Sequence, residues 1–145
     1  MLPEKNNLRM TRQRKIILQE LRKVDTHPSA DEVYELVRKQ LPRISLGTIY
    51  RNLEVLLQLG EIQRIELSGS LKRYDGNPKV HYHIRCIHCE RVDDVVIKPT
   101  RDLDYQIHCS TEYQVIGHRL TFLGYCRECQ KKESLPFPSH TRQLQ

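Results

Sequence analysis

Two C-x-x-C pairs, Cys86-Ile87-His88-Cys89 and Cys126-Arg127-Glu128-Cys129, constrain this chain more than any other feature. Each pair sets two thiolates on one side of a tight turn, and two such pairs brought together make the tetrahedral four-sulfur set that Zn2+ favours. The fold therefore has to carry Cys86, Cys89, Cys126 and Cys129 to one point. The 36 residues between the pairs (90–125) leave room for a strand and a helix. With sulfur in all four positions, none is open to water or substrate, so the expected role is structural. Two other readings compete. A dithiol oxidoreductase needs a pair at a helix N-terminus in a βαβ unit, whereas both pairs here follow strand-like segments. A zinc-ribbon protein-interaction module needs only the zinc. Cys109 lies outside the pattern and reads as a small buried hydrophobe on a helix.

All five cysteines and six of the seven histidines fall after residue 76, and the composition changes at the turn-rich Asp75-Gly76-Asn77-Pro78. This predicts one domain over 1–76, a second over 77–133 and a flexible tail over 134–145. No apolar run is long enough to span a bilayer, and MLPEKNNLRMTRQRK lacks the apolar core and cleavage site of a secretory signal. A cytoplasmic, reducing setting is expected, where cysteines serve metals more often than disulfides.

In the first half Thr11 caps a helix with Ile17, Leu18, Leu21 and Val24 on one face. Ser29 and Glu32 form a capping box for a second, with Ala30, Val33, Tyr34, Val37 and Leu41 inward and Pro42 as the stop. Ser45 caps a third, carrying Leu46, Ile49, Tyr50, Leu53, Leu56 and Leu57 inward, and Gly60 sits where a helix terminates. EIQRIEL then shifts to period two, Ser68-Gly69-Ser70 turns, and LKRY returns as a paired strand. Three helices followed by a hairpin make a winged helix. The second half reads β, β, α, β, from VHYHIRC, RVDDVVI, DLDYQIHCSTEY and RLTFLGYC, with Leu103, Ile107 and Gln106 turned inward from the helix. The fold class is thus α+β, a winged helix joined to a small α/β module. One helix cannot cover both faces of that module's sheet, which predicts a homodimer through this half.

The winged helix and a net charge of +6 point to DNA. The N-terminal part of the third helix offers Gly47, Thr48, Tyr50, Arg51 and Asn52 to a major groove, with Arg51 suited to guanine and Asn52 to adenine. Tyr50 also lies on the apolar stripe. Arg12, Arg14 and Lys15, with Lys72 and Arg73 on the wing, are candidates for the phosphate backbone. A dimer implies a palindromic operator.

His81 and His83 project from one face of a strand while Tyr82 and Ile84 point to the other, so the two imidazoles can share one metal. Taken together, LRMTRQRKIIL, THPSADEVYELV, ISLGTIYRNLEVL with its trailing GEI, KRYD, HYHIRCIHC and GHRLTFLGYCREC resemble the ferric uptake regulator superfamily over residues 8–133. Within it the chain looks most like the peroxide-responsive repressors. The resemblance implies a metal-dependent repressor, not an enzyme, whose regulatory Fe2+ or Mn2+ is held by His27, Asp75, His81, His83 and Asp94. In the adjacent Asp93-Asp94 pair, one residue of register decides which carboxylate faces the metal. It further implies release from DNA when peroxide oxidises His27 and His81. An iron- or zinc-uptake regulator sensing metal level alone is the rival in the same class. Where iron-uptake regulators carry a His- and Asp-rich run, this chain has Val80-His81-Tyr82-His83, so an additional metal site there is expected to be missing. His118, without an acidic neighbour in sequence, is expected to be structural.

Overall fold

The computed structural model describes residues 8–67 and 71–132. The Ser68-Gly69-Ser70 turn and the 134–145 tail lie outside the described residues. Three local signals start the three N-terminal helices. Thr11 accepts from the Arg14 amide to open α1 (Arg12–Lys23). Ser29 and Glu32 close a reciprocal capping box on α2 (Ala30–Val37), and Ser45 accepts from the Thr48 amide at the start of α3 (Leu46–Gln58). Each cap satisfies amides that the first turn leaves orphaned.

The inward faces then meet. Ile17, Val33, Val37, Ile49, Leu53 and Leu56 are fully buried in one cluster, each stabilising the fold by roughly 1.5–3 kcal/mol relative to exposure. The second helix ends at Val37, four residues short of the expected Leu41. A turn follows in which the Gln40 and Leu41 amides both bond the Val37 carbonyl, because the residue before Pro42 is pushed out of the helical region. Gly60 adopts φ +72°, as a helix terminator must.

β1 (Gln63–Glu66) and β2 (Lys72–Asp75) form the antiparallel wing, pairing Gln63 with Asp75 and Glu66 with Lys72. After residues 76–81 the chain enters a three-stranded sheet in the order β4-β3-β5. β3 (Tyr82–Cys86) runs antiparallel to β4 (Val92–Val95) and parallel to β5 (Thr121–Gly124). The parallel pairing requires a crossover, which α4 (Asp102–Ser110) supplies.

The two halves touch through apolar and polar contacts. Ile65 and Leu67 of the wing pack with Val92 of β4.

Two expectations are corrected in the second half. Helix α4 buries no residue in the single protomer, and Gln106, Ile107 and Cys109 are exposed, leaving only Leu103 half-buried among the residues expected inward. Cys109 is therefore not a core residue of the protomer. The apolar side chains of this half lack cover: Val96 is 98% exposed, Ile116 96% and Tyr113 79%. In addition, the second cysteine pair both follows β5 and opens a short helix, α5 (Arg127–Lys132), which the polar run RECQKK does not suggest.

Candidate metal centres and nucleic-acid face

The cysteine centre is assembled by the strand ends. Cys86 is the last residue of β3, the turn after it returns the Glu90 amide to the Cys86 carbonyl, and Glu90 sits at φ 63°. The Ile87 amide bonds the Gly124 carbonyl, which docks the first pair against the end of β5 and so against the second pair. Cys86, Cys89, Cys126 and Cys129 present sulfurs that lie within 4.8 Å of one another, with 3.7 Å between Cys89 and Cys126. Tetrahedral zinc with bonds of about 2.3 Å sets its sulfurs about 3.8 Å apart, so the set fits the ion.

The electrostatics agree. Burial raises the Cys86 thiol, yet the amides of Cys126, Cys89 and His88 outweigh it and bring it down to about 6. Burial and the neighbouring sulfurs push Cys129 up to about 12. Four crowded thiols cannot all ionise without a cation between them.

The second centre draws on both halves of the chain. His27 follows α1 in a loop that β2 holds by the Tyr74 amide donating to the Pro28 carbonyl at 2.9 Å. Asp75 ends β2, His81 and His83 flank Tyr82 at the start of β3, and Asp94 lies in β4 directly across from His83. Their ligand atoms lie within 4.8 Å of one another. The pairing register turns Asp94 into the cluster, while Asp93 faces outward onto Arg91 at 2.8 Å.

The three imidazoles each aim Nε2 at the same two carboxylate oxygens. Asp75 Oδ2 lies 3.4, 2.8 and 3.0 Å from His27, His81 and His83, and Asp94 Oδ1 lies 2.9, 3.1 and 3.4 Å from them. On the far side, His27 Nδ1 donates to the Val92 carbonyl at 3.1 Å and His81 Nδ1 to the Lys79 carbonyl at 2.7 Å. A carbonyl only accepts, so Nδ1 holds the proton and the Nε2 of a neutral ring is left as a lone pair facing carboxylates.

That arrangement requires a positive charge at its centre, supplied either by extra protons or by a cation. Without a cation, the electrostatics favour extra protons on the rings. Burial lowers the His27 pKa, but Asp75, then Asp94 and the Val92 carbonyl, outweigh it and raise it above its ordinary value. Burial likewise raises Asp75, and the bonds from His27, His83 and the Asn77 amide override it and hold the carboxyl far below the usual range. Three imidazole nitrogens and two carboxylates suit Fe2+ or Mn2+ better than a thiolate-seeking ion.

The fold gives His118 the acidic neighbour that its sequence surroundings lack. Its Nδ1 lies 2.6 Å from Asp104 Oδ1 on α4, and its Nε2 lies 2.6 Å from the Tyr82 hydroxyl, which also accepts from the Thr100 amide. His88 Nδ1 lies 3.4 Å from Cys129 Sγ beside the cysteine centre.

The nine DNA-face candidates that carry a side chain separate into three groups. Arg12, Lys15, Tyr50, Arg51 and Lys72 are exposed, Tyr50 at 46% despite its place on the apolar stripe. Thr48 is half-buried, its hydroxyl 2.8 Å from that of Ser45 in the cap. The other three are engaged inside the protein. Asn52 is 6% exposed and accepts from Arg14 Nε at 3.0 Å, which ties α3 to α1 and engages its side-chain oxygen within the protein. Arg14 also bonds the Arg9 carbonyl. Arg73 points inward, its Nη1 donating to the His27 carbonyl at 3.0 Å and its side chain 17% exposed. A helical wheel shows which face a residue occupies but not which long side chain folds back to meet it.

Winged helix, sheet module, four-cysteine centre and inter-domain histidine–aspartate centre together define a metal-responsive DNA-binding regulator. The model of the ferric uptake regulator family matches residues 5–123, and the chain belongs to that family. Its members are transcriptional regulators that bind DNA as dimers, and the protein is not an enzyme. The chain is 36% identical over 125 residues to the peroxide-responsive repressor PerR of Staphylococcus aureus, covering 86% of this chain and 84% of the relative. The Helicobacter pylori ferric uptake regulator, described as having three functional metal-binding sites, matches with a TM-score of 0.75 and 27% identity over 90% of this chain and 87% of that one. The Campylobacter jejuni peroxide stress regulator matches with a TM-score of 0.73 and 27% identity, over 87% and 95%. Among the described residues, no helix is long and apolar enough to cross a membrane.

Proposed function

We propose that this protein is a cytoplasmic, peroxide-sensing repressor that binds a palindromic operator as a homodimer while a regulatory metal joins its two halves. The reading rests on one observation above the others. His27 and Asp75 from the winged-helix half converge with His81, His83 and Asp94 from the sheet half. A cation shared by both sets selects one angle between the halves and so one spacing of the two recognition helices in a dimer. Zn2+ at Cys86, Cys89, Cys126 and Cys129 holds the sheet module together, and the uncovered apolar side chains around Val96, Tyr113 and Ile116 are the face that a second copy covers. The domains are 1–76 and 77–133.

Fe2+ held by His27, Asp75, His81, His83 and Asp94 would supply the chemistry that activates peroxide. As the resemblance to peroxide-responsive repressors implies for His27 and His81, one peroxide oxygen would end on a ring and the other would leave as water, which would spoil a donor nitrogen. The remaining donors hold the cation more weakly, the halves lose their common angle, and the DNA is released. The similarity to peroxide-responsive relatives supports this sensing mode over metal-level sensing alone.

Fluorescence anisotropy with a palindromic duplex and a scrambled one, with and without Mn2+, tests the reading. Binding to the palindrome tightens with Mn2+, and the His83→Ala variant loses that response. Equal binding with and without the metal refutes it.

A further inference from the structure

Arg73 is the residue whose position departs furthest from a DNA-binding role. It lies on the wing strand β2, where an outward cation would face phosphate, yet its side chain is only 17% exposed. Its Nη1 donates to the His27 carbonyl at 3.0 Å and reaches Glu32 Oε2 of α2 at 3.4 Å. Its Nε is the one buried side-chain polar atom among the described residues without a partner. An arginine that accepts an unsatisfied Nε in order to place Nη1 on one carbonyl is held there by geometry rather than by its own hydrogen-bond count.

The carbonyl it holds belongs to an unusual residue. His27 sits at φ 50°, a left-handed conformation that costs a side-chain-bearing residue free energy and persists only when neighbours impose it. Three contacts impose it here. The Tyr74 amide holds the next carbonyl, that of Pro28, the Val92 carbonyl holds the ring, and Arg73 holds the carbonyl of His27 itself. Of the three, only the Arg73 bond acts on the His27 peptide itself, so its loss lets that peptide shift toward an unstrained conformation and tilts the imidazole. Glu32 Oε2 accepts from the same Nη1 at 3.4 Å while also accepting from the Ser29 amide in the cap of α2, so the clamp runs from a helix of the winged domain to the sensing loop.

We infer that Arg73 is a positioning residue for the regulatory metal, holding His27 in its strained backbone conformation so that Nε2 points into the donor set. This inference rests on the metal reading proposed above. Partners that orient a metal ligand typically account for 10–100-fold in metal affinity, and Arg73 acts on the ligand that comes from the winged half.

The test uses full-length, zinc-loaded protein of four kinds: wild type, Arg73→Met, Arg73→Lys and His83→Ala. Mn2+ affinity is measured by competition with a chelator, and the electron paramagnetic resonance spectrum of bound Mn2+ reports the symmetry of its ligands. Arg73→Met weakens Mn2+ by 10–100-fold and alters the spectrum, while zinc content and sedimentation stay as in wild type. Arg73→Lys falls between, because its flexible ammonium keeps the charge but reaches less far than Nη1, the one nitrogen that meets both the His27 carbonyl and Glu32. Wild-type affinity and an unchanged spectrum in Arg73→Met overturn the clamp, as does full wild-type behaviour in Arg73→Lys. If wild type itself takes up no Mn2+ that His83→Ala abolishes, the metal reading is what fails, and the clamp falls with it.

Discussion

Replacing Gly76 with alanine drives a methyl group into the backbone of α1. The added carbon meets the Arg22 amide nitrogen at 3.0 Å, the Leu21 carbonyl carbon at 3.0 Å and Arg22 Cγ at 3.1 Å. Ordinary contact begins near 3.4 Å, so the connection after β2 or the helix must yield by 3.4 − 3.0 = 0.4 Å. Backbone atoms cannot rotate aside as a side-chain tip can, and this kind of overpacking costs about 1–3 kcal/mol. The glycine is required for space alone, since among the described residues Gly60 and Gly117 are the glycines with positive φ. The displacement falls beside Asp75, whose carboxylate lies 2.8 Å from His81 Nε2. Calorimetry of zinc-loaded, manganese-free protein should show the winged-helix transition lowered by about 4–8 °C for each kcal/mol lost in a domain of this size. A chelator competition should show weaker Mn2+ binding in the same variant. Unchanged melting together with unchanged Mn2+ affinity refutes the packing of residue 76 against α1 and its link to the metal donors.

Other perturbations act elsewhere. Cys86→Ser or Cys126→Ser leaves three thiolates, and because structural zinc binding is itself folding free energy of about 10 kcal/mol or more in small zinc modules, both zinc and dimer are lost in elemental analysis and sedimentation. Arg51→Ala lowers binding to the operator by about 1–3 kcal/mol if the guanidinium meets a guanine, whereas Lys72→Ala weakens all duplexes alike and shallows the salt slope by about one unit. Equal loss on operator and random DNA for Arg51→Ala demotes it to a phosphate contact. For pH, the folded His27 pKa lies above its ordinary 6.5. The stability this gives the metal-free protein is therefore full below the unfolded value and is lost as pH rises through the folded one. Metal needs the neutral ring, so Mn2+ affinity rises with pH over that same window. Melts and Mn2+ titrations between about pH 6 and 8 should slope in opposite directions, and parallel slopes contradict the assignment of His27.

Features encoded within a few residues are legible in the sequence. The caps at Thr11, Ser29 and Ser45 depend on side chains reaching amides three residues on, and the cysteine pairs carry their chemistry in their spacing. The His81 and His83 pair is equally local, a consequence of the strand pleat. Features set by distant partners are not legible in this way. Asn52 has a polar residue's expected freedom on the recognition helix, and only the fold brings Arg14 of α1 across to it. Arg73 has the sequence position of a wing cation, and only the fold places the left-handed backbone of His27 within its reach. The choice between Asp93 and Asp94 depends on the register of β4 on β3, which pairs His83 with Asp94. The apolar residues of α4 predict an inward face, yet that face has nothing to meet within one protomer.

Tryptic mass spectrometry of iron-loaded and manganese-loaded protein after a brief exposure to peroxide tests peroxide sensing through the histidine–aspartate centre most directly. The account predicts the mass of one added oxygen atom on the peptides that contain His27 and His81 in the iron form, and its near absence in the manganese form. Oxygen confined to Cys109 or to the zinc cysteines, or added equally with both metals, would mean that a thiol is the sensor and would contradict the account.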